Sequence, residues 1–379
     1  MSETTETGAV RKEVRVDGET ISYLTAGRDG SPVLLLHGTY WSRVWLPVLE
    51  PLATAGFSPI AVDFPGLGRS GGELTLETAT VPALAEWVPR FAAALGLAEP
   101  LAVAGHDIGG AVAQNLLARD RLAVSRMALV NSVAYDSWPA PHVARFRDPE
   151  VIAATTALEL LTARREAVTR DLAGAATAQR VADYLEPWAD PRVRSSWLAM
   201  VAAADSRHTL DLVPALRRCP TPKLLVWGED DRFEKVEYAE KFASEIPHTT
   251  LVRIPQAAHI PTENAPDQVA RALTDFFAAQ RCHLVLEPHI LRGPLAIRRN
   301  GRRNPVREGS FHSRLRNSLG DRGPAPIVAG GDGEITVGRG ESRAQHGRIS
   351  GVAQAGGADD AGDGAKLRRT ALDARPAGT

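Results

Sequence analysis

The residues best arranged for chemistry lie in Leu101-Ala-Val-Ala-Gly105-His106-Asp107-Ile108-Gly109-Gly110-Ala111-Val112-Ala113, an apolar strand pattern that passes through small-x-Asp-x-small into a helical one. That spacing suits a sharp strand-to-helix turn holding its central side chain up at the carboxyl end of a sheet. Glycines flank it because the turn leaves no room for Cβ atoms. The usual occupant is Ser; here it is Asp107. The amino end of the following helix is aimed at that position and favours an anion there. Gly-x-Asp-x-Gly alone is a weak signal, and its neighbours strengthen it. Leu34-Leu-Leu-His37-Gly38-Thr39 ends a strand pattern in residues whose backbone N–H groups suit one side of an oxyanion hole. Trp227-Gly-Glu229-Asp230-Asp231 ends another in acids, and Ile254-Pro-Gln-Ala-Ala-His259 places a histidine after the last. The chain order is nucleophile position, acid, histidine, which is one of the orders in which catalytic triads occur.

Such side chains need a sheet to carry them. Short β-branched or Leu-rich runs alternate with longer amphipathic stretches from residue 14 to 132. That alternation predicts an α/β fold, a mostly parallel sheet with helices on both faces. Eight strands are expected, at 13–16, 21–26, 33–36, 59–62, 101–104, 127–131, 223–227 and 250–254, with helices near 44–55, 80–95, 109–119, 236–245 and 267–280. Between Tyr135 and Cys219 strand patterns vanish. Helical spacing at 149–165 and 192–204 predicts a helical insertion there.

With these pieces in place, residues from about 13 to 280 resemble the α/β-hydrolase superfamily. Asp63-Phe-Pro-Gly-Leu-Gly-Arg-Ser70 and the position of the insertion, where that family carries its cap, add to the resemblance. The Asp at the elbow is similar to the branch containing epoxide hydrolases and haloalkane dehalogenases. The resemblance implies Asp107 as nucleophile, His259 as base and Asp231 as the acid that orients it, with Asp230 a rival one register away. The backbone N–H groups of Ile108 and Thr39 would be the oxyanion donors. It divides the chain into a core in two parts, residues 1–136 and 216–282, and a cap at 137–215.

An aspartate in this position has its own chemical logic. A carboxylate with a pKa near ~3.9 is ionised at neutral pH and attacks without a base. Its attack on an ester or amide gives an anhydride, which is uphill. Attack on a saturated carbon bearing a leaving group gives an alkyl ester that a histidine-activated water can hydrolyse. Epoxides and alkyl halides are therefore the expected substrates, with water the second reactant. Haloalkane dehalogenases usually hold the halide with a Trp directly after the nucleophile and an Asn or second Trp elsewhere. Here Ile108 and Thr39 stand in the first two places, leaving Trp41, Trp138 or Trp188 as donors. The arginines that fluoroacetate dehalogenases carry after the Asp are absent from Ile108-Gly-Gly-Ala111. Epoxide hydrolases polarise the ring oxygen with two cap tyrosines, for which the insertion offers Tyr184 and, at its start, Tyr135. This sequence departs from that family's His-Gly-x-Pro, since Tyr40 takes the Pro position. Epoxide hydrolysis is the first reading and carbon–halogen hydrolysis the second. Another reaction on this fold, or a ligand-binding protein that has lost catalysis, is the third.

Other residues read as structural. His106 is expected to pack beside the elbow and His37 to fix the loop after its strand; Trp45, Trp87, Trp197 and Trp227 suit a core. Glu263 and Asn264 suit a cap on the final helix. No histidine or cysteine pair has metal-ligand spacing, so neither metal nor cofactor is expected. Cys219 and Cys282 are too few for a disulfide framework.

Composition excludes other classes. The 379 residues carry 44 Lys+Arg against 45 Asp+Glu, which gives nucleic acid or an anionic membrane no basic footprint. The first residues, Met1-Ser-Glu-Thr-Thr-Glu, lack the basic patch and apolar stretch of a signal peptide, and no apolar run nears the ~20 residues of a membrane span, so a cytoplasmic protein is expected. All 7 Trp and all 5 Tyr precede Cys282. Residues 283–379 contain Phe311 as their one aromatic, with 15 Arg and 17 Gly, a composition that predicts a disordered tail. Oligomeric state has no signal in the sequence.

Overall fold

The computed structural model describes residues 8–27 and 29–285. Its eight strands are β1 (Val10–Val16), β2 (Glu19–Thr25), β3 (Ser31–Leu36), β4 (Phe57–Val62), β5 (Leu101–Asp107), β6 (Val124–Ser132), β7 (Lys223–Gly228) and β8 (Thr249–Ile254). They form one sheet in the order β1-β2-β4-β3-β5-β6-β7-β8. β2 is antiparallel to both neighbours, and every other pairing is parallel. The central strands β3 and β5 are buried almost throughout, as continuous apolar runs must be when helices cover both faces.

Alternation along the strands sorts the core into two layers. Leu34, Leu36, Val103, Leu129 and Leu225 pack on one face with residues of α2 (Val81–Ala94) and α3 (Ile108–Ala118). Val33, Leu35, Ala104, Val130 and Val226 pack on the other with residues of α1 (Leu46–Thr54) and the closing helix. This is the doubly covered, mostly parallel sheet that the sequence predicts. Most elements extend a residue or more beyond their expected bounds, and two differences bear on function. β5 runs three residues past Ala104 and ends on Asp107 itself, because the strand continues into the turn. The last helix runs Pro266–Val285, past the change of composition at Cys282. The expected tail lies, from residue 286 on, outside the described residues.

Between β6 and β7 the chain forms seven α-helices, with short 3-10 turns between some of them, and no strand among the described residues: α4 (Pro141–Ala144), α5 (Pro149–Ala154), α6 (Ala157–Leu172), α7 (Ala178–Leu185), α8 (Pro191–Ala202), α9 (Arg207–Leu210) and α10 (Val213–Leu216). α6, the longest of them, starts on a capping box in which Thr156 and Glu159 satisfy each other's backbone N–H groups. After β7 come α11 (Val236–Glu245), then β8, α12 (Pro261–Asn264) and α13 (Pro266–Val285). No described helix is long and apolar enough to cross a membrane.

Candidate active site

The turn at the end of β5 is as tight as the glycines suggest. Asp107 sits at φ 55°, ψ −126°, 2% exposed, and α3 begins on the next residue. A Cβ on Gly105 would lie 2.3 Å from the Gly109 carbonyl oxygen, and one on Gly109 would lie 2.3 Å from that of Leu36. Strand, turn and helix are therefore in backbone contact. A Cβ on Gly38 would stand 2.5 Å from both Asp107 Oδ2 and the Ile108 nitrogen, which places the loop after β3 against the elbow. Across that contact Thr39 donates its backbone N–H (2.8 Å) and its hydroxyl (2.7 Å) to Asp107 Oδ2. Oδ1 has no hydrogen bond among the described residues. One oxygen is tied down and the other is not.

Asp231 and His259 stand beside this carboxylate. His259 Nδ1 donates to Asp231 Oδ2 at 2.8 Å. Oδ2 also accepts from Asn131 Nδ2 at 2.7 Å, while Oδ1 accepts the Phe233 and Glu234 backbone N–H groups. Burial disfavours the charge on Asp231, but His259 and these donated bonds outweigh it and lower the pKa. For His259, burial alone would lower the pKa; the charge and hydrogen bond of Asp231, with Asp107 and Asp171, instead carry it up to about 10. Asp230 is exposed, so Asp231 is the acid that meets the histidine. Asn131, at the end of β6 with φ 37°, also accepts the Gly228 N–H and thereby joins β6 to the loop bearing the acid. Sequence reasoning passed over it. The available signal was an Asn, tolerant of positive φ, closing the apolar run Met127-Ala-Leu-Val-Asn131.

The two neighbouring histidines act as struts. His37 Nε2 accepts the Phe64 N–H, so its Nδ1 carries the proton and donates to Gly38 O, fixing the loop that presents Thr39. His106 Nε2 donates to the His259 carbonyl at 2.7 Å. Burial and the facing His259 lower its pKa to about 4, so it stays neutral.

A cavity of ≈ 420 Å³ lies between these strand ends and the helices that follow β6. Its wall includes Thr39, Asp107, Glu234 and His259 below, and Trp138, Phe146, Arg164 and Trp197 from the insertion. Of the expected substrate contacts, Trp138 lines it; Trp41, Tyr135 and Tyr184 do not. Trp41 lies beneath the Arg11 guanidinium. The Tyr184 hydroxyl donates to Glu263 and that of Tyr135 to Glu245, so the tyrosines expected to polarise a leaving group are bonded elsewhere. Tyr40 is the tyrosine on the cavity wall; its hydroxyl is bound to Asp171, and burial with that carboxylate's charge raises its pKa well above the usual phenol. Trp197, assigned to the core by sequence, also faces the cavity. Glu263 and Asn264 do not cap α13: Glu263 pairs with Arg43, and Asn264 bonds Ala258 N–H and Leu172 O, steadying the loop before His259.

Glu234 was not foreseen. It is 2% exposed, lines the cavity, and its Oε2 has no hydrogen-bond partner. Burial and the nearby Asp231 charge push its pKa up to about 8. That shift favours the protonated, uncharged form at neutral pH. Among the described residues no cluster of His, Cys, Asp and Glu is built to hold a metal ion.

A model of the alpha/beta hydrolase family matches residues 33–272. The AB hydrolase superfamily protein YfhM of Bacillus subtilis is 24% identical over 294 residues, covering 70% of this chain and 97% of its own. Haloalkane dehalogenase 2 of Mycobacterium bovis is 27% identical over 277 residues, 68% of this chain and 91% of its own. Among solved structures, that of the epoxide hydrolase CorEH superposes with a TM-score of 0.60 at 24% identity, covering 72% of this chain and all of that one.

Proposed function

The chain belongs to the alpha/beta hydrolase family and is an enzyme of that fold, and on that premise we propose that it opens a small electrophile at saturated carbon through an alkyl ester on Asp107, with an epoxide as substrate. One observation carries the reading: at the elbow stands a carboxylate with one oxygen held by Thr39 and the other unpartnered beside the cavity. Oδ1 attacks a ring carbon and the C–O bond breaks. The departing oxygen takes the proton of Glu234, in place of the tyrosines that lie off the cavity. The resulting ester keeps its carbonyl oxygen at the Thr39 donors, with Ile108 N–H the second candidate, where negative charge develops when water attacks.

Esterification removes one of the charges that hold His259 protonated, the imidazolium passes its proton through solvent to the Glu234 carboxylate left by ring opening, and the neutral imidazole then takes a proton from water. Asp231 stabilises the imidazolium that forms. Collapse of the tetrahedral intermediate passes its hydroxyl proton to the departing alkoxide, frees the diol and regenerates the Asp107 carboxylate, with His259 again protonated. A second reading, hydrolysis of a carbon–halogen bond, is favoured by Trp197, whose buried indole N–H has no partner and whose ring lines the cavity.

His259→Gln tests the scheme, because it blocks the second half and spares the first. Incubated with epoxides and alkyl halides, that variant is expected to gain the mass of the substrate, less any halide, on the peptide between Leu101 and Arg119. Asp107→Asn is expected to gain none and to lose turnover by about 10⁴-fold or more. Diol or free halide from the wild type separates the two readings. A turned-over substrate that leaves no adduct on His259→Gln would remove Asp107 as the nucleophile.

A further inference from the structure

Arg164, on α6, is a cation the reaction above does not use. Its residue is 7% exposed, yet it makes no ion pair among the described residues. Its guanidinium lies 4.1 Å from the centre of the Tyr40 ring, with Trp188 at 5.1 Å and Trp197 at 5.9 Å. These aromatic faces offset part of the cost of burying the charge. Nη2 donates to the Thr39 carbonyl at 2.7 Å, but Nε is buried without a partner, and the residue lines the cavity. Guanidinium has five N–H donors in a fixed fork, and a structural tie to one carbonyl uses one of them. A desolvated, unpaired charge with an idle donor on a cavity wall lacks an anion.

Its place identifies where that anion sits. Thr39 holds Asp107 Oδ2 with its N–H and hydroxyl and Arg164 with its carbonyl, so the guanidinium is one residue's width from the attacking carboxylate. Arg145 and Arg170 also line the cavity, and the other carboxylates of the wall are Asp171, bonded to Tyr40 and Arg170, and Glu234. An anionic substrate approaching Asp107 unaided would be repelled; beside Arg164 it is neutralised.

We propose that Arg164 binds a carboxylate of the substrate, so that the molecules opened by Asp107 are small carboxylates with the electrophilic carbon close to the acid group, such as oxirane carboxylates, and not neutral epoxides. The identity of the reacting group rests on the function proposed above; the carboxylate site does not.

Binding is therefore tested without reaction, using phenylacetate and its neutral match phenylacetamide, whose ring suits the Trp138, Phe146 and Trp197 wall. Calorimetric titration of the full-length wild type is expected to show the acid bound about 10-fold tighter or more than the amide, the scale of a charge-assisted fork. Arg164→Gln is expected to bring the two within about 3-fold, and Arg164→Lys, which keeps charge without the fork, to fall between. In turnover, 3-phenyloxirane-2-carboxylate is expected to exceed its carboxamide in kcat/KM, with Arg164→Gln raising KM for the acid alone. Equal binding of acid and amide by the wild type overturns the proposal, even if Arg164→Gln fails to fold. So does an Arg164→Gln protein that keeps the preference. An acid-selective protein that forms no adduct on His259→Gln would keep this site while refuting Asp107 as the nucleophile.

Discussion

The floor of the cavity and its roof are built on different principles. In the floor, Asp107, Thr39 and Asp231 are set by backbone, through a strand end, a positive-φ turn, N–H groups of flanking loops, and glycines with neighbours 2.3 to 2.5 Å from where a Cβ would be, and Asp231 in turn holds His259. In the roof, side chains pack on side chains: the Arg164 guanidinium lies over Trp197, and Phe146 and Trp188 pack against the Trp197 ring. The floor fixes where bonds break and has no slack. The roof sets what molecule is brought there, and its packing accepts exchange of residues of similar volume. A family that keeps one mechanism and changes substrates needs this division, since specificity then alters without disturbing the nucleophile.

The sharpest test of that contrast places one methyl in each region. Gly109→Ala puts a Cβ against the Leu36 and His37 carbonyl oxygens, at 2.3 and 2.5 Å, and neither strand can retreat. The expected loss is about 4 kcal/mol or more, close to the whole stability margin of many domains, read as a collapse of the urea midpoint. Gly174→Ala, between α6 and α7, meets nothing within 4 Å and should shift stability by no more than about 0.5 kcal/mol. Similar losses at both positions would show that the roof is as tightly built as the floor.

The same division governs what the sequence discloses. The elbow was legible because only small residues fit around Asp107, so geometry is written into residue type at fixed spacing. The order of Asp107, Asp231 and His259 was legible because each follows a strand with an apolar signature. The roof was legible as helix and not as chemistry. Arg164 meets Thr39 across 125 residues and Tyr40 meets Asp171 across 131, pairings set by how helices pack, which no local pattern records. For the same reason Tyr135 and Tyr184, the right residue type in the right segment, proved to bond Glu245 and Glu263. Glu234 escaped notice because three residues after Asp231 an acid reads as a solvated turn, and only burial makes it neutral.

Glu234 sharpens the comparison as a group of the floor that backbone does not tie down. Its folded pKa of about 8 exceeds the ordinary 4.5, so between those pH values the folded protein holds a proton that the unfolded chain releases. Stability assigned to this group is therefore present in full below about pH 4.5 and lost as pH rises through 8. Glu234→Gln keeps the shape and removes the titration. Between pH 6 and 7 the variant should gain on the wild type by about 1.4 kcal/mol, other groups cancelling in the difference. Paired melts at the two pH values measure this; a constant gap would mean that the carboxyl ionises freely and is no proton donor at neutral pH.

The smallest expected effect discriminates most between the two regions. If Tyr184 and Tyr135 protonated the leaving oxygen, as two cap tyrosines do in epoxide hydrolases, each Tyr→Phe change would slow ring opening by about 10²-fold. In this structure both hydroxyls are donated away from the cavity. Glu263 retains Arg43 when Tyr184 loses its oxygen, and Glu245 retains Arg217 when Tyr135 does. Neither removal strands a buried charge. Turnover of each variant should therefore stay within about 3-fold of wild type, with a stability cost near 1 kcal/mol, the usual worth of one hydrogen bond. Steady-state rates on the best epoxide measure this, set beside Glu234→Gln, which keeps an amide but has no acidic proton to give. A 10²-fold loss in either Tyr→Phe variant with none in Glu234→Gln would mean that the roof closes on the substrate in a different arrangement and supplies the proton, and the separation between a floor that reacts and a roof that selects would fail.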